Sequence, residues 1–121
     1  MPVGETVSEH TIDSHFDGRS AQVRGIYESI VAVSKEFGPV TEEPKKTSIH
    51  LANRTAFAGI ATRKDALILT IKSATDIPSP RILKREQVSA NRWHLELRLD
   101  DPGQVDGELR EWLEKAYRIS G

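Results

Sequence analysis

The sequence predicts a two-layer α+β domain, in which an antiparallel sheet of four or five strands packs an N-terminal and a C-terminal helix on one face. Apolar residues recur at helical spacing in one segment towards each end of the chain, and the segments between them alternate apolar and polar residues. At 121 residues, 37% of them apolar, the chain is long enough for one domain with its own core. Because both helices cover the same side, the other side of the sheet is expected to be open.

The first helix is predicted over residues 20–37, after a polar segment at residues 1–15 that is expected to be a flexible arm. Residues 16–121 then form the single folded domain. Ser20 is the expected N-cap, and Gly38-Pro39 is expected to end the helix. The apolar face of this helix consists of Val23, Ile26, Tyr27, Ile30, Val33 and Phe37.

Alternating runs after residue 39 predict antiparallel strands that follow one another as hairpins. The predicted strands cover residues 40–43, 47–52, 55–63, 66–72 and 93–99. Residues 73–91 form a long connection, in which residues 82–88 are expected to be either one helical turn or a short strand.

A second helix is predicted to begin at Asp101-Pro102-Gly103-Gln104, where Asp caps, Pro suits the first helical position and Gln completes a capping box. The apolar stripe of this helix consists of Val105, Leu109, Trp112, Leu113, Ala116 and Tyr117.

Charge is distributed unevenly along the chain. Residues 44–94 carry a net charge of +7, whereas residues 1–43 carry −5 and residues 95–121 carry −3. A basic middle between acidic flanks predicts a local positive patch, which attracts anions by long-range Coulomb steering. The overall formal charge of −1 argues against a wholly basic nucleic-acid binder.

Several classes of protein are excluded by what the sequence lacks. Without cysteine there is no disulfide and no thiolate metal site. No apolar run approaches the ~20 residues that a bilayer requires, and no secretory signal is present, so a cytoplasmic protein is expected. The motifs of P-loop, Rossmann, kinase, serine-hydrolase and zinc-protease families are absent, and we expect no metal and no cofactor.

Candidate site residues lie on the predicted open face and in its loops. Lysine and arginine suit phosphate or carboxylate recognition, histidines add directional hydrogen bonds, and a solvated basic surface without a ligand is the competing interpretation. The candidate ligand-binding residues are Lys45, Lys46, Thr47, His50, Arg54, Arg63, Lys72, Lys84, Asn91, Arg92 and His94.

Several runs resemble an uncharacterised bacterial family of domains of unknown function, which often stand as C-terminal modules of larger proteins. These runs are FGPV at 37–40, EPKKTSIHL at 43–51, RTAFA at 54–58, SANRWH at 89–94 and VDGEL at 105–109. The resemblance implies no catalytic residues. It draws attention to Lys45, Lys46, Thr47, His50, Arg54, Asn91, Arg92 and His94, which belong to the recurring runs.

Three functions remain open from the sequence. The first is a non-enzymatic module whose basic sheet face binds an anionic partner, either nucleic acid or a phosphorylated small molecule. The second is a protein–protein interaction domain, including a homo-oligomer whose acidic flanks meet the basic middle of another copy. The third is a metal-free ribonuclease in which His50 and His94 act as base and acid while Lys46 stabilises the phosphorane.

Overall fold

The computed structural model describes residues 10–121. Residues 1–9 of the arm predicted at residues 1–15 therefore lie outside the described residues. The helices are α1 (Ala21–Lys35) and α2 (Gly107–Ile119), with short 3₁₀ segments at Asp13–Phe16 and Pro102–Gln104. The strands are β1 (Thr41–Pro44), β2 (Ile49–Ala52), β3 (Ala56–Thr62), β4 (Leu67–Ser73), β5 (Lys84–Ser89) and β6 (Arg92–Leu99). Within this part of the chain, no helix is long and apolar enough to cross a membrane.

The α+β class with an antiparallel sheet is confirmed, but the prediction of four or five strands is wrong. The sheet has six strands in the order β1-β2-β3-β4-β6-β5. The additional strand is β5, which agrees with the short strand that was one expectation for residues 82–88 and not with the helical turn that was the other. All six of its residues are exposed, so it carries no buried face and is held by backbone pairing with β6 at the sheet edge.

Both helices and one face of the sheet share a single hydrophobic core. Val23, Ile26 and Ile30 of α1 are fully buried, as are Leu109 and Leu113 of α2. In each central strand the side chains alternate, and those that are not part of this core point to the other face of the sheet. The fold therefore separates a closed helix side from an open sheet face, as the single apolar face of each helix predicts.

A β-bulge changes which side one large residue occupies. Leu51 and Ala52 pair with Ala58 and Ala56, so Phe57 is an extra residue on β3. Phe57 is buried, and its ring centroid lies 5.4 Å from that of Tyr117 on α2. The bulge thus places this ring in the core and keeps it off the open face.

The start of α2 differs from the prediction. The capping box at Asp101 and Gln104 is present, but it opens the short 3₁₀ segment Pro102–Gln104. The helix itself begins at Gly107, because the Asp106 carboxylate caps it by accepting a hydrogen bond from Leu109 N–H at 3.0 Å. Val105 therefore precedes the helix and is not part of its stripe.

Asp106 is also the anchor of the long connection before β5. Arg81 Nη1 lies 3.1 Å from Asp106 Oδ1 and 3.0 Å from Glu108 Oε1, and Arg81 Nη2 donates to Gln104 O at 2.8 Å. These contacts hold the connection against the N-terminus of α2. It consequently lies on the helix side and does not line the trough of the open sheet face.

Replacing Asp106 with alanine is expected to lower the free energy of unfolding by about 1 kcal/mol at neutral pH, because the cap of α2 is lost. The hydrogen bond from Leu109 N–H and the neighbouring Arg81 guanidinium lower the pKa of Asp106. A carboxyl group whose pKa is lowered by folding stabilises the protein at pH values above its unfolded-state pKa. That contribution is lost as the pH falls through the folded-state pKa. In urea unfolding, the difference between wild type and Asp106→Ala should shrink below about pH 4. An equal difference at pH 3 and pH 7 would contradict this role.

Candidate functional site

The open sheet face carries a shallow trough of about 370 Å³. Its floor consists of residues on the two central strands: Gly59 and Ala61 of β3, with Ile68 and Thr70 of β4. The walls are formed by Ser48 and His50 on one side, at and just before the start of β2, and by His94 and Glu96 of β6 on the other. The depression arises because Gly59 and Ala61 leave space between the larger side chains of His50 on one side and of His94 and Glu96 on the other.

One row of paired residues crosses the middle of the trough. His50 pairs with Gly59, Gly59 with Thr70, and Thr70 with Glu96. Three strand spacings separate His50 from Glu96, or ~14 Å between their backbones. A Cβ atom built on Gly59 would lie 3.9 Å from His50 Cδ2, so the imidazole borders the space above this glycine. His50 and Glu96 face each other across a floor with space for a flat group.

One end of the trough is cationic, and we call the group Lys72, Thr55 and Arg92 the Lys72 end. Lys72 Nζ donates a hydrogen bond to Thr55 Oγ1 at 3.3 Å. Partial burial and the positive charge of Arg92 lower the pKa of Lys72. Within residues 10–121, no ion pair involves either Lys72 or Arg92.

The structure divides the predicted site residues among four places. Lys72, His50, His94 and Arg63 line the trough, with Arg63 at the end opposite Lys72. The remainder of the candidate set lies outside the trough lining. Arg54 and Asn91 lie in the turns at the Lys72 end, where Arg92 begins β6. Lys84 lies on β5 opposite Glu96, and Lys45, Lys46 and Thr47 form the exposed β1–β2 turn at the other end of β2.

Several cations on the two sides of the molecule differ in ion pairing. On the helix side, Arg24, Arg81 and Arg110 are paired with carboxylates. On the sheet side, Lys45 lies 3.9 Å from Glu43. No carboxylate within ion-pair distance is found, in the part of the chain that the structure describes, for Lys46, Arg54, Arg63, Lys72, Lys84 and Arg92. These charges are not neutralised within the described fold.

The open face also carries carboxylates that the candidate set omitted. Glu96 lines the trough, and Glu43 of β1 is the strand-pairing partner of His50 of β2, so it lies on the same face. Glu86 Oε1 lies 4.0 Å from His94 Nδ1. Alternation along the last strand could have identified Glu96, because it has the same parity as His94. Thr55 carried no such signal, since it lies in a turn and meets Lys72 only through the fold.

The comparisons with known proteins give a family and nothing more detailed. A family model described as a domain of unknown function, DUF5655, matches residues 12–120. Neither a curated protein nor a solved structure matches the chain. Among residues 10–121, no group of three or more histidine, aspartate or glutamate side chains is placed to hold a metal ion.

Proposed function

This chain belongs to the DUF5655 family, a domain of unknown function, and we propose that its trough binds the phosphate group of an anionic ligand at the Lys72 end. The observation that carries the proposal is the partly buried Lys72 ammonium, which lies near the Arg92 guanidinium and has no carboxylate partner within the described chain. Two neighbouring cations repel each other, and burial of one of them raises that cost. A bound dianion removes the repulsion.

The chemistry of the Lys72 end suits phosphate. Arginine offers a planar fork of N–H donors and lysine a compact point charge, and both bind phosphate oxygens with charge-assisted hydrogen bonds. The Thr55 hydroxyl accepts a hydrogen bond from Lys72 Nζ at 3.3 Å and donates its own hydrogen to Ser120 O at 3.2 Å, so it holds the ammonium group in place at this end of the trough. A phosphorylated small molecule and the terminal phosphate of a nucleic acid present the same group to this site.

Replacing both Lys72 and Arg92 with alanine is expected to weaken phosphate binding at least tenfold, because each removed charge takes away a hydrogen bond worth about 1.5–3 kcal/mol. Binding is measured by titrating sodium phosphate into isotope-labelled protein at constant ionic strength and following the backbone amide resonances. In the wild type, the resonances that shift should be those around residues 55, 72 and 92.

A matched variant separates a site from a general charge effect. The double substitution Lys115→Ala with Arg118→Ala also removes one lysine and one arginine charge, but from the exposed surface of α2. This variant should bind phosphate as the wild type does. Equal weakening in both variants, or a titration in which no resonance at the Lys72 end moves, would overturn the proposal.

A further inference from the structure

Glu96 gives the trough a second, opposite polarity. Its side chain is half-buried in the trough wall, and no hydrogen bond or ion pair of that carboxylate occurs within residues 10–121. An ionised carboxylate accepts hydrogen bonds and cannot donate one, so a ligand that lies against Glu96 must bring N–H or O–H donors. A phosphate at that position would instead be repelled.

The distribution of carboxylates favours a small ligand over a polymer. Glu43, Glu96 and Glu86 all lie on the open face, on β1, β6 and β5 respectively. A nucleic-acid strand laid across the sheet would bring several phosphates close to these charges, and like charges at short range disfavour binding. A molecule with one anionic end meets the Lys72 end and avoids the carboxylates.

The dimensions of the trough also match a small molecule. Its volume of about 370 Å³ lies at the lower end of the range of ligand pockets. Lys72 and Glu96 occupy diagonal positions on the paired strands β4 and β6, and backbone positions related in this way lie about 7–8 Å apart across the two strands. Between Glu96 and His50 the floor is Gly59 and Thr70, which leaves a flat surface for a ring.

We infer that the trough binds a phosphorylated nitrogen heterocycle whose ring lies over Gly59 and Thr70 and whose N–H edge donates to Glu96, with its phosphate at the Lys72 end. This inference rests on the proposed function. A carboxylate accepts two parallel N–H bonds best, so the ring is one with adjacent donors, as guanine has at N1 and its exocyclic amine. His50 borders the same ring from the opposite wall.

The test compares three probes by isothermal titration calorimetry: guanosine monophosphate, inosine monophosphate and inorganic phosphate. The inosine ring lacks the exocyclic amine and therefore offers one donor fewer to Glu96. We expect guanosine monophosphate to bind at least tenfold more tightly than inorganic phosphate and more tightly than inosine monophosphate. Replacing Glu96 with glutamine should remove about tenfold of the affinity for guanosine monophosphate and leave phosphate binding intact, since an amide offers one acceptor where the carboxylate offers two.

The variant Glu86→Gln is the matched control, because it removes a carboxylate from the same face outside the trough. It should bind all three probes as the wild type does. If phosphate binds but guanosine monophosphate binds no more tightly, or Glu96→Gln changes nothing, the inference is wrong and the proposed function stands. If no probe binds, both are wrong. Tighter binding of a single-stranded RNA oligonucleotide, strengthened by Glu96→Gln, would also overturn the inference in favour of a polymer.

Discussion

Replacing Gly59 with valine is expected to raise the stability of the protein while it blocks the trough. Gly59 lies in the interior of β3, where glycine costs roughly 0.5–1 kcal/mol because of its backbone freedom, and valine is favoured in strands. A Cβ atom at this position meets nothing closer than His50 Cδ2 at 3.9 Å, so the sheet can accept a side chain. The added methyl groups stand on the trough floor, where the ring of a ligand would lie.

Two measurements separate the effects of this substitution. Urea unfolding should give a higher free energy of unfolding, and calorimetry should show guanosine monophosphate binding weakened more than tenfold. Phosphate at the Lys72 end should still bind, because no charge has changed. Gly107→Ala, where a Cβ atom has no neighbour within 4 Å and lies away from the trough, is the control for added stability alone. Unaltered nucleotide binding in Gly59→Val would show that the ligand does not use the floor.

Replacing Gly38 with alanine is expected to lower the free energy of unfolding by about 2–4 kcal/mol, for two reasons. Gly38 has a φ of +150°, a backbone conformation that L side chains rarely adopt. A Cβ atom there would also lie 2.4 Å from Tyr117 Oη, which cannot move freely because it donates to Pro39 O at 2.9 Å. The tyrosine ring is further held between Phe37 and Phe57.

A second glycine allows the two causes to be separated by urea unfolding. Gly18 also has a positive φ, +73°, but a Cβ atom built there meets nothing within 4 Å. Gly18→Ala should therefore show only the backbone cost, about 1 kcal/mol. The larger loss in Gly38→Ala should be partly recovered when Tyr117→Phe is added, because the hydroxyl group that makes the closest contact is then absent. Equal losses at the two glycines would contradict a steric role for Tyr117.

The periodicity of the sequence was sufficient to predict the helices, most of the strands and the existence of an open face. Helical spacing predicted α1 and α2, since a single apolar face can be buried in only one way. Alternation predicted that His50, Lys72 and His94 share the face away from the helices, because successive strand residues point to opposite sides. It could not choose between a short strand and a helical turn for the segment that contains β5, because all six residues of this strand are exposed and carry no alternating pattern.

The tertiary structure decided which of these residues meet. Alternation fixes the face of a residue but not the order of the strands, and here β6 lies between β4 and β5. That order makes His94 the partner of Lys72 and brings Glu96 into the trough. It leaves the Lys45–Thr47 turn at the opposite end of β2 from Lys72, although both belong to the same basic segment of sequence. A charge count along the chain detects basic residues, whereas pairing across strands decides whether each charge is neutralised or available to a ligand.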